Sequence, residues 1–143
     1  MFEHSNMMLT NNLLERALDM ESLRKKVISN NIANVDVPHF KRSEVNFESE
    51  LKRAVMEKEL KEKDETPALL SETRHIPFSV PRDIRGVRPR INLDYTTTYR
   101  NDGNNVDIEK EIVDASKNLM RYNAFVSGMN HNFKILKLVM RTA

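Results

Sequence analysis

The sequence predicts a mainly α-helical fold in which long N- and C-terminal helices form a coiled-coil-like pair, with a central irregular or small β arm. Two observations support this fold class. All five prolines lie between Pro38 and Pro89 of the 143-residue chain, so both ends are compatible with helix. Each end also carries apolar side chains at helical spacing. A chain of this length has room for about one domain.

An apolar stripe predicts the first helix, roughly from residue 8 to residue 34. Pro38 cannot continue this helix, and it disfavours helical geometry for the residue before it. We expect the stripe to pack against another helix. Its members follow one another at steps of three or four, which places them on one helical face, and they are Leu9, Leu13, Ala17, Met20, Leu23 and Val27.

A heptad repeat predicts a second long helix, from about Asp107 almost to the last residue. Asp107 is the expected N-cap, and the acidic Glu109 and Glu111 suit the first turn. A 3.5-residue period keeps an apolar face aligned with a long partner, so we expect helix one or copies of the same helix to cover it. All nine core positions are hydrophobic: Ile112, Leu119, Val126, Phe133 and Met140 at a, and Ala115, Tyr122, Met129 and Leu136 at d.

The region between the helices has two different compositions. Residues 48–65 carry mixed charges and only a narrow apolar stripe, which is typical of a solvated helix or a disordered segment, and we favour the helix. Residues 74–100 contain three prolines and short runs that favour extended structure, so they predict a small β-element or an irregular arm. The run NDGNN at 101–105 predicts a turn that leads into the last helix.

Composition argues against most catalytic and ligand-binding classes. The chain has 23 basic and 21 acidic residues, so no anionic partner is required. It has no cysteine, which excludes disulfides and cysteine-based zinc sites. The four histidines lack metal-site spacing, and no phosphate-binding or nucleophile motif occurs. We therefore predict no catalytic residue, metal, cofactor or small-molecule substrate. The chain shows neither a cleavable signal peptide nor an apolar stretch of about 18 residues.

A local basic cluster suggests an alternative function. The cluster consists of Arg82, Arg85, Arg88 and Arg90. It permits a coiled-coil protein that binds nucleic acid or regulates a partner. No aromatic residue suited to base stacking is interleaved with the arginines, and the charge is balanced, so nucleic acid is disfavoured.

The string NNIANVDVPHFK, residues 30–41, is the most specific motif. Asparagines bond nearby backbone groups, so a helix end followed by a turn explains them, and we expect Asn34 to make such a bond. That explanation leaves the rest of the string unexplained. The string resembles the N-terminal signature of the flagellar rod and hook protein family, which typically reads NNIANVDTPGYK. Nine of twelve positions match, while His39 replaces a glycine and so disfavours a positive φ.

The resemblance continues along the chain. LTNNLLERALDM at 9–20, TRHI at 73–76, GNNVDIEKE at 103–111 and YNAF at 122–125 are similar to the short proximal-rod members of the family. The candidate assembly signature, in which Phe40 keeps the family's aromatic residue, consists of Asn30, Asn31, Ile32, Ala33, Asn34, Val35, Asp36, Pro38, Phe40 and Lys41.

The resemblance implies a structural, non-enzymatic subunit of the flagellar basal-body rod. Such a subunit assembles through its terminal helices into an axial tube that transmits torque. The implied partners are other rod proteins, further copies of the chain, the basal-ring adaptor FliE and the flagellar type III export apparatus. The implied location is the basal body, in the periplasmic space after export. We expect one structural unit with three segments: a helix and signature at 1–36, a charged and proline-containing part at 37–105, and the heptad helix at 106–143.

Overall fold

The computed structural model describes residues 6–63, 86–98 and 100–142. It confirms the predicted mainly helical fold, because the long terminal helices pack together and a small two-stranded sheet lies between them in the sequence. Within these ranges, no helix combines the length and the apolar character needed to span a membrane. The elements in chain order are α1 (Asn6–Ala33), β1 (Ser43–Asn46), α2 (Glu48–Lys63), β2 (Arg90–Leu93) and α3 (Ile108–Thr142).

The chain divides into two compact units. Met1–Val45 together with Ile91–Ala143 forms the first unit, which contains α1, α3 and most of the paired strands. Asn46–Arg90 forms the second unit, which contains α2. The helix favoured within residues 48–65 is confirmed over Glu48–Lys63.

Part of the predicted central arm is described by the structure and part is not. The predicted extended run at 91–99 contains most of the short strand β2. The extended run at 76–80, the TRHI motif, and Arg82 and Arg85 of the basic cluster lie outside the described residues. The turn predicted at 101–105 is confirmed, and Gly103 adopts a φ of 79° in it.

Hydrogen bonds explain where the two long helices end and begin. At the end of α1, Asn34 N donates to Asn31 O at 3.1 Å and Val35 N donates to Ile32 O at 3.3 Å, which tightens the last turn. At the start of α3, the Asp107 carboxylate accepts hydrogen bonds from the backbone N–H groups of Glu109 (3.0 Å) and Lys110 (3.3 Å). These bonds confirm Asp107 as the N-cap, since they satisfy N–H groups that have no partner within the helix.

The two long helices run antiparallel. The contacts between them pair late residues of α1 with early residues of α3, and early residues of α1 with late ones of α3. The pairs, in order along α3, are Asn31 with Glu111, Glu21 with Asn118, Leu14 with Gly128, and Asn11 with Asn132.

Candidate assembly site

The end of α1 meets the segment that precedes α3 at a cluster of buried polar side chains, which we call the polar junction. The junction joins residues 30–42 to residues 104–111. Its members are Asn31, Arg42, Asn104, Asn105 and Glu111, and all five side chains are buried.

Asn31 links three parts of the first unit. Its side chain is 0% exposed. Its amide nitrogen donates to Ser43 O at 2.9 Å and to Glu111 Oε2 at 3.2 Å, and its Oδ1 accepts from Ser43 N at 3.0 Å. The pair of bonds with Ser43 imitates the two-way pairing of neighbouring strands. Asn31 therefore joins the last turn of α1 both to the start of β1 and to the first turn of α3.

Glu111 and Arg42 form a buried ion pair within the junction. The Glu111 side chain is fully buried, and its Oε1 accepts a hydrogen bond from Arg42 Nε. Arg42 also contacts Glu44, and its Nη2 lies 3.5 Å from Asp114 Oδ2. An unpaired carboxylate at this depth would cost several kcal/mol, so the position of Glu111 depends on the arginine beside it.

Asn104 satisfies backbone groups beyond the end of α1. Its amide nitrogen lies 3.0 Å from Asn34 O, 2.9 Å from Val35 O and 2.9 Å from Val37 O, while its Oδ1 accepts from Val106 N at 2.7 Å. These three carbonyls follow Ala33, the last residue of α1, so they lie outside the hydrogen bonds of the helix. A fully buried asparagine 70 residues away adds a donor to carbonyls that also accept from Val37 N, Arg100 Nη1 and Phe40 N.

Asn105 connects the junction to the segment after β2. Its Oδ1 accepts from Arg42 N at 2.6 Å. Its amide nitrogen donates to Asp94 O at 2.7 Å and to Thr97 Oγ1 at 3.2 Å. The hydroxyls of Thr97 and Thr96, together with the Thr96 N–H, donate to the Asp94 carboxylate and lower its pKa from 3.8 to about 2.

His39, which follows Pro38, has a left-handed backbone conformation although its side chain disfavours one. His39 has a φ of 60°, so the expectation that its side chain opposes positive φ is wrong for this turn. His39 N donates to Asp102 O at 3.1 Å, and Lys41 Nζ donates to Gly103 O at 2.9 Å. A Cβ atom on Gly103 would lie 2.9 Å from His39 Nδ1. The contact with the turn at 101–105 therefore holds His39 in its strained backbone conformation.

The other signature residues have unequal environments. Asn34 Nδ2 donates to Asn30 O at 2.7 Å, which confirms the expected bond between this asparagine and the backbone. Asp36 pairs with Arg100 at 3.0 Å and is itself exposed. Ile32, Val35 and Phe40 are partly buried, whereas Ala33 and Pro38 are exposed.

The helix contact uses a face of α3 that the heptad pattern did not single out. The seam between the helices follows the g positions, which are Glu111, Asn118, Phe125 and Asn132. Asn118 Nδ2 donates to Glu21 O at 2.9 Å and also to the Glu21 carboxylate. Glu21 is 1% exposed and lies 2.9 Å from Arg24 Nη1 and 3.9 Å from Arg121 Nη1. Asn132 Nδ2 donates to Asn11 Oδ1 at 2.7 Å.

Most of the apolar a positions of α3 face solvent. Ile112 is 54% exposed, Leu119 59%, Phe133 53% and Met140 72%, while Val126 is partly buried. At the d positions, Tyr122 and Leu136 are exposed, and Ala115 and Met129 are partly buried. We call the a positions, Ile112 to Met140, the a face.

The predicted stripe of α1 is buried only in its second half. Met20 and Val27 are buried and Leu23 and Ala17 are partly buried, whereas Leu9 and Leu13 are each 42% exposed. On the opposite side of the seam from the a face, a cavity of about 230 Å³ lies between α1, β1 and α3. Its α3 wall consists of the c and f residues Asp114, Lys117 and Arg121.

Sequence reasoning missed Glu21, Arg42, Asn104, Glu111 and Asn118 as site residues. One available signal was the spacing of polar residues beside the apolar heptad, since Glu111, Asn118 and Asn132 repeat at multiples of seven. In the described part of the chain, no group of three or more His, Asp or Glu side chains is arranged to hold a metal ion. The site consists of an exposed apolar helix face and a buried network of hydrogen bonds, and both are features suited to the packing of helices.

Comparison with known proteins identifies the family. Residues 12–41, which include most of α1 and the signature, match the sequence model of the flagella basal body rod protein family. The flagellar basal body rod protein FlgB of Borrelia hermsii is 40% identical over 130 residues, 90% of this chain and 93% of that protein. FlgB of Borreliella burgdorferi is 38% identical over 126 residues, 88% of this chain and 91% of that protein. FlgB of Bacillus subtilis is 35% identical over 127 residues, 89% of each chain.

These relatives match about nine tenths of the chain, so the resemblance inferred from the signature extends over most of it. The prediction of a non-enzymatic, structural rod protein is confirmed, and nothing in the comparisons supports the nucleic-acid alternative. Membership also implies a place in the flagellar basal body and assembly with other rod components. The chain belongs to the FlgB family of flagellar basal-body rod proteins.

Proposed function

We propose that this subunit enters the proximal rod by packing the a face of α3, together with the apolar start of α1, against neighbouring subunits in the wall of the axial tube. The rod then transmits torque through these helix contacts. The observation that carries the proposal is the exposure of the a face, four of whose five side chains are more than half exposed in the single chain.

An apolar face of this length is unusual on a protein that works alone. Fully burying one such side chain contributes about 1.5 to 3 kcal/mol, so several together favour association strongly. A contact between different surfaces of successive subunits does not close on itself, and it generates a helical rod. In this proposal, residues 1–36 and 106–143 are the assembly segments, and residues 37–105 form the central part between them.

Family membership also supports finer proposals about partners and route. We expect contacts with other rod proteins, with further copies of this chain and with the basal-ring adaptor FliE. We also expect delivery by the flagellar type III export apparatus, without a cleaved signal peptide, to a position in the periplasmic space. The absence of cysteine suits a chain that is exported unfolded, because no disulfide has to be opened.

The test replaces one residue of the a face with a charge. A strain lacking the gene is complemented with wild type, with Leu119→Asp, or with Ala124→Asp at an exposed f position of the same helix. Leu119→Asp should abolish rods in purified basal bodies and stop swimming, because a buried unpaired charge costs several kcal/mol. Ala124→Asp should leave both close to wild type.

A folding measurement separates assembly from stability. Leu119 is largely exposed in the single chain, so Leu119→Asp should change the free energy of unfolding of the purified subunit by no more than about 0.5 kcal/mol. Equal motility in the two aspartate strains would exclude the a face as the assembly surface. A photo-crosslinking residue at position 119 should capture rod proteins or FliE, and one at position 124 should not.

A further inference from the structure

We infer that three polar contacts along the helix seam are positioning elements, which fix the rotation of α3 on α1 so that the a face stays outside the helix pair. The contacts are Asn11 with Asn132, Glu21 with Asn118, and Asn31 with Glu111. The use made of the a face rests on the proposed function, whereas the orientation of α3 is a property of the single chain.

The contacts are distributed along the whole seam. Their α3 members, Glu111, Asn118 and Asn132, all occupy g positions, and their α1 members, Asn11, Glu21 and Asn31, are spaced ten residues apart. Both ends and the middle of the paired region are therefore marked by a hydrogen bond between specific side chains. A rotation of α3 about its axis would break all three contacts together.

A rotation of α3 about its own axis gives a second way of packing it on α1, and this second packing would bury more apolar surface. In α3, Leu119 and Val126 directly follow the seam residues Asn118 and Phe125. Turning α3 by one residue, about 100°, would bring the a face against α1 and remove its apolar side chains from water. The hydrophobic effect alone favours that rotation. The observed structure instead places a glutamate and asparagines in the seam and leaves Leu119 and Phe133 exposed.

Polar contacts can select one packing arrangement over another of similar energy. In coiled coils, a single polar residue in an apolar seam specifies the register at a cost in stability. The Glu21 carboxylate is well suited to this task, because it meets Asn118 and Arg121 of α3 as well as Arg24 of its own helix. If α3 rotated, this buried carboxylate would lose its two partners on the other helix.

Cysteine labelling of the purified, dilute subunit tests the inference, and the natural chain contains no cysteine to interfere. One reporter is Leu119→Cys on the a face, and the matched reporter is Ala124→Cys at an f position, which remains exposed in both arrangements. Each reporter is placed in three backgrounds: the natural seam, a Glu21→Gln seam, and a seam with Glu21→Ala, Asn31→Ala and Asn132→Ala, which removes one member of each of the three contacts. The measured quantity is the rate of reaction with a maleimide.

We expect the triple alanine seam to slow labelling at position 119 by about tenfold, the factor produced when nine molecules in ten adopt the rotated arrangement. Labelling at position 124 should not change. The Glu21→Gln seam keeps the acceptor oxygen, so both of its rates should match those of the natural seam. A single Asn118→Ala variant should show a smaller slowing at position 119 alone.

Three outcomes would overturn the inference. One is an unchanged rate at position 119 in a triple variant whose circular dichroism remains helical. Another is equal slowing at both positions, which would indicate a general change and not a rotation. The third is loss of helix in the triple and single alanine variants alike, because the contacts would then supply stability and not orientation. None of these measurements involves the rod, so they are independent of the Leu119→Asp test of assembly.

Discussion

The two ends of the α1–α3 pair are built from opposite chemistry. At the polar junction, Asn31, Asn104 and Glu111 are completely buried and are all polar. Toward the other end of α3, Phe133, Leu136 and Met140 are apolar and exposed. Most proteins bury such apolar residues and expose such polar ones. Polar contacts therefore hold the first end of the pair together within the single chain, and in our proposal the exposed apolar surface at the other end contacts neighbouring chains.

Removing Asn104 should have the largest effect on the single chain. Asn104→Ala removes one donor from each of three backbone carbonyls and removes the side-chain acceptor of the Val106 N–H, so we expect it to lower the free energy of unfolding by about 3 kcal/mol. Urea denaturation of the purified subunit measures this change. The control is Asn34→Ala. The Asn34 side-chain amide donates an exposed hydrogen bond to Asn30 O, and its loss should cost only about 0.3 kcal/mol. Similar losses in the two variants would contradict the distinction between the buried hydrogen bonds of Asn104 and the exposed one of Asn34.

Hydrogen exchange should show the same contrast along α3. In the dilute subunit, amides from 112 to 126 should exchange roughly a hundredfold more slowly than amides from 134 to 141, because side-chain burial supports only the first part of the helix. Mass spectrometry of deuterated peptides measures the gradient. Uniformly slow exchange along α3 in a verified monomer would show that the exposed end does not depend on neighbouring subunits for its order.

The left-handed turn offers a change that should stabilise the junction. His39→Gly removes the steric cost of a positive φ, so we expect a gain of about 1 kcal/mol in the free energy of unfolding. The matched control is Val37→Gly, at an exposed neighbouring position without positive φ, which should lower stability by about 0.5 kcal/mol. If thermal denaturation shows His39→Gly to be less stable than the natural chain, the packing of the imidazole on Gly103 outweighs the backbone strain.

The smallest expected effect is the titration of Asp94 beside the junction. Its hydrogen bonds hold the pKa at about 2 in the folded chain, below the value of 3.8 that applies without them. These bonds therefore favour the folded state above pH 3.8, and that contribution disappears as the pH falls through 2. Because water reaches this partly exposed carboxylate and screens its charge, the effect on stability should be slight.

NMR titration of the Asp94 carboxyl resonance should give a midpoint near pH 2. Thr97→Val should raise this midpoint toward 3.8 by more than Thr96→Val does, since the Thr97 hydroxyl makes the largest contribution. A midpoint near 3.8 in the natural chain would show that the three hydrogen bonds do not form in solution.

The regular parts of the fold were accessible from the sequence because their signals are local. The heptad from Ile112 to Met140 and the N-cap Asp107 predicted α3, and the proline at 38 predicted the end of α1. These patterns depend on residues within one or two helical turns of each other. They required no knowledge of which segments meet in space.

The choice of helix face was not accessible in the same way. Apolar periodicity identified the a face as a packing surface, but it did not show that α1 packs against the g positions of α3. The burial of Asn31 depends on Glu111, which lies 80 residues away, and single-sequence patterns carry no information about such pairs. Polar residues are usually exposed, so Asn104 was correctly placed in a turn without any sign of its burial.

The sequence separation across the polar junction also sets the order in which the subunit folds. Asn31 cannot meet Glu111, nor Asn34 meet Asn104, until more than a hundred residues of a chain that emerges N-terminus first are free. Closing such a long loop costs entropy before any contact repays it, so high contact order slows folding. α1 alone lacks the tertiary packing from which most helices gain their stability. α1 therefore lacks its helical partner until α3 has emerged, and we expect the two ends of the chain to become structured together.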